Sequence, residues 1–178
     1  MSNRPARLFV LLAAVGALGV PQRGVAQGAS ASFTVRAVVV TVGMTIVTVR
    51  DLNFGTVPKG VATTVQPTAA TAGEWQITGN PNALVTIAFT LPTQLTNIQA
   101  LPGSTMPITF LANSARWRRA NNNPAGGNAF NPAVGATGRF GPNATPTLYI
   151  WIGGRVNPAL TAKPGIYRGT IILSLTYL

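Results

Sequence analysis

The chain has no cysteine and no histidine, and only two of its 178 residues, Asp51 and Glu74, are acidic. Without cysteine there is no disulfide framework, so stability has to come from sheet pairing and packing. Without histidine the usual base of a Ser–His–Asp triad is missing, and two carboxylates are too few to furnish a typical zinc or calcium site. Charged residues make up 8% of the chain, against roughly 25% in an average soluble domain. Helical periodicity is absent throughout, so there is no helix for a glycine-rich phosphate loop to open. No apolar run reaches the roughly 20 residues needed to span a bilayer as a helix.

What is present is basic, β-branched and rich in turn formers: 13 Lys and Arg, a formal net charge of +11, 19 Gly and 14 Pro. Arg4 and Arg7 precede the apolar run Leu8 to Val20, which Pro21 interrupts, and Gly24 and Ala26 supply small residues near its end. This order of features predicts a secretory signal peptide over residues 1–26, cleaved after Ala26. Loss of Arg4, Arg7 and Arg23 leaves ten basic and two acidic side chains in a mature chain of 152 residues. One hydrophobic core is expected at that length, since such a chain buries roughly two-thirds of its unfolded surface.

Alternation is clearest at the C-terminus. Tyr167, Ile171, Leu173, Leu175 and Tyr177 fall on one face, with Arg168, Thr170, Ser174 and Thr176 on the other, as in a half-buried strand. Leu148 to Val156 is apolar on both faces until Gly153 and Gly154, and Leu84 to Leu91 keeps Val85, Ile87, Phe89 and Leu91 in phase. Shorter strands are expected at Val61 to Val65, Glu74 to Thr78 and Met106 to Leu111, each bounded by turn residues. A β-branched run from Ala31 to Arg50 is divided by Gly43 into an N-terminal strand segment, residues 27–43, and a strand over Met44 to Arg50 that opens the main domain, residues 44–178. The segment at about 113–146, rich in Asn, Gly and Pro, reads as a long loop or partly disordered insertion. Together these features predict an all-β, antiparallel, immunoglobulin-like sandwich of roughly seven to nine strands. An eight-stranded outer-membrane barrel is disfavoured, because aromatics form no paired girdles and the Asn-rich segment uses up length.

No constellation for catalysis or cofactor binding emerges. Asp51 and Glu74 could in principle form a glycosidase pair, but each adjoins a turn or a strand end, where an exposed charge is the simpler reading. A Ser/Lys dyad through Lys59 or Lys163 has no supporting motif, and the triplet Asn143-Ala144-Thr145 is too short to carry weight. The expectation is a non-enzyme without metal or cofactor. The one concentrated chemical feature is Arg116, Trp117, Arg118 and Arg119, which joins positive charge to an aromatic surface suited to an acidic glycan. Export argues against nucleic acid as its partner. The plainer alternative is a solvated basic loop with Trp117 covering a sheet edge.

Gly165 is fourteenth from the C-terminus, Tyr177 is penultimate, and alternating apolar residues lie between them. This resembles the C-terminal strand of chaperone–usher pilus subunits. The wider set, Asp51-Leu52-Asn53-Phe54-Gly55, Gly73 to Pro81, Tyr149 to Gly154 and Pro164 to Gly169, looks like a family of secreted bacterial β-domains of unknown function, similar in style to spore coat U-type and pilin domains. The resemblance implies a sandwich completed by strand addition, with Phe33, Val35, Ala37 and Val39 as donor. Gly165, Tyr167, Ile171, Leu173, Leu175 and Tyr177 would form the C-terminal assembly strand. It further implies copies of the chain as partners in a surface fibre, with a periplasmic chaperone and an outer-membrane usher in transit. A self-contained secreted adhesin using the basic loop stands beside it as the second expectation.

Overall fold

The alternation that marks the C-terminal segment builds the first of three sheets in the computed structural model, which describes residues 28–32, 36–38, 43–99 and 104–178, with side chains over 43–99 and 104–178. The signal peptide expected over residues 1–26 lies outside the described residues, as do Phe33, Val35 and Val39. The first strands are β1 (Gly28–Ser32), β2 (Arg36–Val38), β3 (Thr45–Arg50), β4 (Thr63–Val65), β5 (Gly73–Thr78) and β6 (Leu84–Thr90). Next come β7 (Gln94–Asn97), β8 (Thr105–Thr109), β9 (Ala115–Arg119), a short 3-10 turn at Pro124–Gly126, β10 (Asn128–Phe130) and β11 (Ala136–Arg139). The chain ends with β12 (Thr147–Ile152), β13 (Gly154–Val156), β14 (Tyr167–Arg168) and β15 (Ile172–Tyr177).

Every pairing is antiparallel, and the three sheets run β11-β6-β15-β1-β2, β10-β9-β12-β5-β3 and β14-β7-β8-β13-β4. The first two face each other as a sandwich. From one side come Val85 and Ile87 of β6 with Leu173 and Leu175 of β15. From the other come Ile46, Trp75, Ile77, Leu148, Ile150 and Ile152, all buried in one cluster. Burying large aliphatic and aromatic side chains is worth roughly 1.5 to 3 kcal/mol each, so this cluster dominates the stability of the fold.

The fifteen strand segments among the described residues exceed the seven to nine expected, because longer runs are broken where two segments of the chain approach closely. The run Leu148 to Val156 splits at Gly153, whose amide donates to the Ser114 carbonyl at 2.7 Å and whose missing side chain would strike the Val65 carbonyl. The C-terminal run likewise divides into β14 and β15. Gly43, at φ +121°, divides the N-terminal run at the predicted place.

The segment 113–146 departs from expectation altogether: it is an ordered part of the sandwich. It contributes β9 and β10 to one sheet and β11 to the other. Strand pairing through the backbone does not require apolar side chains, and β9 pairs residue by residue with β12 from Leu148↔Arg119 to Ile152↔Ala115. Its Asn residues make turns; Asn123 Oδ1 accepts from the Ala125 amide at 3.0 Å and Asn131 Oδ1 from Ala133 at 3.0 Å. Among the described residues no helix is long and apolar enough to cross a membrane.

Candidate strand-docking site

β15 is the middle strand of its sheet. On one side it pairs with β6, from Ile172↔Thr90 to Tyr177↔Val85. On the other it pairs with β1, from Gly28↔Thr176 to Ser32↔Ile172. The N-terminal segment therefore fills, within its own chain, the backbone edge of the last strand. Had that edge been left open, a row of amide and carbonyl groups would be unpaired. β2 then turns back and lies outside β1, so Ala37 of the predicted donor faces Ala31 rather than β15.

Among the described residues, no strand fills the slot beyond Ser32. β14 precedes β15 in the chain and pairs with β7 alone, Tyr167↔Asn97 and Arg168↔Thr96. Because β7 follows β6, the vacant edge of β14 lies on the same side as β1. That edge opens into a groove of about 940 Å³ lined by residues 51–59 on one bank and 162–169 on the other. Its floor is apolar: Met106, Ile108 and Val156 are buried there, with Phe54, Leu95 and Tyr167 packed against them. In the register of β1 and β15, residues 33, 35 and 37 would oppose residues 171, 169 and 167 if the strand ran straight on into this groove.

Gly165 and Tyr167 shape the groove bank. Gly165 has φ +146°, and a side chain there would collide with the Asn97 carboxamide. Asn97 is buried, donates to the Pro164 carbonyl at 3.3 Å and accepts from the Gln99 amide at 2.9 Å. The Tyr167 hydroxyl donates to the Lys163 carbonyl at 2.6 Å. At the other end of the slot the Tyr177 hydroxyl donates to the Gly43 carbonyl at 3.0 Å and accepts from the Asn80 amide at 2.9 Å. Burial pushes this phenol above its usual value near 10.0, outweighing the lowering effect of the Asn80 N–H. Ile171, Leu173 and Leu175 are all buried.

The basic quartet is divided between two faces. Trp117 packs against the main core, while Arg116 and Arg118, on the opposite face of β9, hold the following loop. Arg116 Nη1 donates to the carbonyls of Pro124, Ala125 and Gly127 at 3.3, 3.3 and 3.0 Å, and Arg118 Nη1 to that of Asn123 at 3.3 Å. Arg119 is exposed. Arg116 is thereby turned to the loop, as alternate side chains of a strand point to opposite faces, whereas Trp117, Arg118 and Arg119 border one hollow.

The two carboxylates also differ from one another. Asp51 is exposed, as expected, and borders the groove. Glu74 is 3% exposed, against the expectation of a surface charge. Its Oε2 lies 2.6 Å from Arg50 Nη2, while Arg50 Nε also donates to the Ala72 carbonyl at 3.0 Å. This is the only ion pair among the described residues, which also contain no group of three potential metal-ligating side chains. No family model, curated protein or solved structure matches the chain.

Proposed function

We propose that the protein is an exported, non-enzymatic structural subunit that joins copies of itself into a surface fibre by β-strand addition, within a pilin-like, immunoglobulin-like sandwich. The observation that carries this reading is the slot beside β15, half filled by β1 and continuing as an apolar groove past Tyr167. The incoming strand is the segment Phe33 to Val39 of a second copy, whose alternating residues would meet the groove floor while its backbone pairs with the vacant edge of β14. Burying four such side chains at roughly 1.5 to 3 kcal/mol each supplies several kcal/mol before ordering costs. Pairing of β1 in its own chain is then the resting, self-completed subunit. A periplasmic chaperone and an outer-membrane usher would guard the same edge during export.

Electrophoresis in SDS of protein sheared from the cell surface, unheated against boiled, tests the reading. A ladder of multimers that collapses only on boiling is expected. A single band at the mature mass in both lanes would overturn it.

A further inference from the structure

Where the edge of β9 and β10 approaches β11 of the opposite sheet, a hollow of about 500 Å³ is lined by Arg118, Arg119, Arg139, Trp117, Asn121 and Asn128. Three guanidinium groups thus border one space with no carboxylate beside them. The chain's two acidic side chains are elsewhere: Glu74 is bound to Arg50 and Asp51 borders the strand groove. The arginines keep most of their donors in reserve. Arg118 spends Nη1 on the Asn123 carbonyl and Arg139 spends Nε on the Asn82 carbonyl at 3.1 Å. A guanidinium has five N–H donors, and the Arg119 side chain makes no hydrogen bond or ion pair among the described residues. The loop itself is braced by Arg116 through its three carbonyl contacts, so the wall bearing Asn121 and Gly126 is fixed in place. Gly126 leaves room for the Arg118 guanidinium, which any side chain there would strike.

We infer that this hollow is a binding site for an acidic sugar unit of an anionic polysaccharide, separate from the strand groove. The guanidinium groups would grip its carboxylate or sulfate in charge-assisted, forked hydrogen bonds. Asn121 and Asn128 offer paired donors and acceptors to ring hydroxyls, and Trp117 gives the hollow an apolar wall. A nucleic acid strand calls for a basic track with successive stacking platforms, whereas here the charges converge on one open hollow from two sheets.

Isothermal titration of the mature protein with oligogalacturonate and with heparin oligosaccharide tests the site, with dextran as the neutral control. Binding of at least one acidic oligosaccharide, and none of dextran, is expected. Arg119→Gln and Arg139→Gln should each weaken it about tenfold, the loss of one charge-assisted contact. Arg155→Gln removes the same charge from exposed β13, outside the hollow, and should change affinity by less than about twofold. Circular dichroism checks that each variant remains folded, and all three substitutions fall on exposed side chains. Failure of both oligosaccharides to bind, or an equal effect of Arg155→Gln, would overturn the assignment. So would single-stranded DNA or inorganic sulfate binding as tightly with the same dependence on Arg119 and Arg139.

Discussion

The two ends of the sandwich are built to different standards. Among the described residues, fifteen buried residues form one continuous cluster between the main sheets, whereas the apolar cluster beneath the third sheet has three buried members, Met106, Ile108 and Val156, with partly buried residues around them. The main body is a finished core. Among the described residues the far end has the floor of a core without a lid, and β1 runs toward it as far as Ser32, beside Ile172. Apolar surface in a concave groove beside an unpaired strand edge is what the proposed strand addition would use, so the contrast separates the part of the molecule that holds its shape from the part to which that proposal assigns joining.

Substitutions can sharpen that contrast. Leu173→Ala removes a fully buried side chain from the main core and should cost about 4 kcal/mol in urea denaturation. Arg50→Ala strands Glu74 without its counter-charge and should cost about 3 kcal/mol; Arg50→Ala combined with Glu74→Gln should recover part of the loss, and a double-mutant cycle measures how much. Met106→Ala, in the small cluster, should cost only about 2 kcal/mol, yet it should weaken binding of a synthetic peptide spanning residues 27–42, whereas Arg155→Gln should not. An equal loss of stability for Met106→Ala and Leu173→Ala would erase the distinction between the two ends.

The smallest effect is expected at Tyr177. Tyr177→Phe gives up the hydrogen bonds to Gly43 and Asn80 and should cost about 1 kcal/mol at neutral pH. Because burial raises the folded pKa of this phenol above 10.0, the unfolded chain releases the proton first as pH rises. Its contribution is therefore complete below pH 10 and is lost as pH climbs through the folded value. Denaturation curves at increasing alkaline pH should show a decline that is shallower in Tyr177→Phe than in the parent protein.

Much of the sheet structure was legible in the sequence because burial on one face leaves a period of two. β6 and β15 show it in their residues and again in their alternating exposure. β9 was hidden, since one phase holds Arg116 and Arg118 and the other Ala115 and Trp117 followed by the exposed Arg119; the alternation was present but sat among residues that resemble a charged loop. Glu74 was misjudged because burial of a carboxylate depends on a partner 24 residues away in the chain. The groove was not legible, and of the basic hollow only Trp117, Arg118 and Arg119 were, within the cluster read as suited to an acidic glycan. The former joins residues 51–59 to 162–169 and the latter joins Arg119 to Arg139, contacts that only the strand order creates. Along β14 and β15, by contrast, Gly165, Tyr167 and Tyr177 stood out in the sequence, and each has a defined place beside the slot.

The position of β15 between β6 and β1 also sets a schedule. Neither neighbour in that sheet pairs with the other; each is joined to it only through the six residues of the last strand. β15 follows both of them in the chain, so during synthesis β6 and β1 wait without their common partner until it emerges. During that interval the half-made sheet is a target for aggregation and for any guardian that binds bare strand edges. Removing residues 172–178 would take away the join itself, leaving β6 and β1 with nothing to pair them into one sheet.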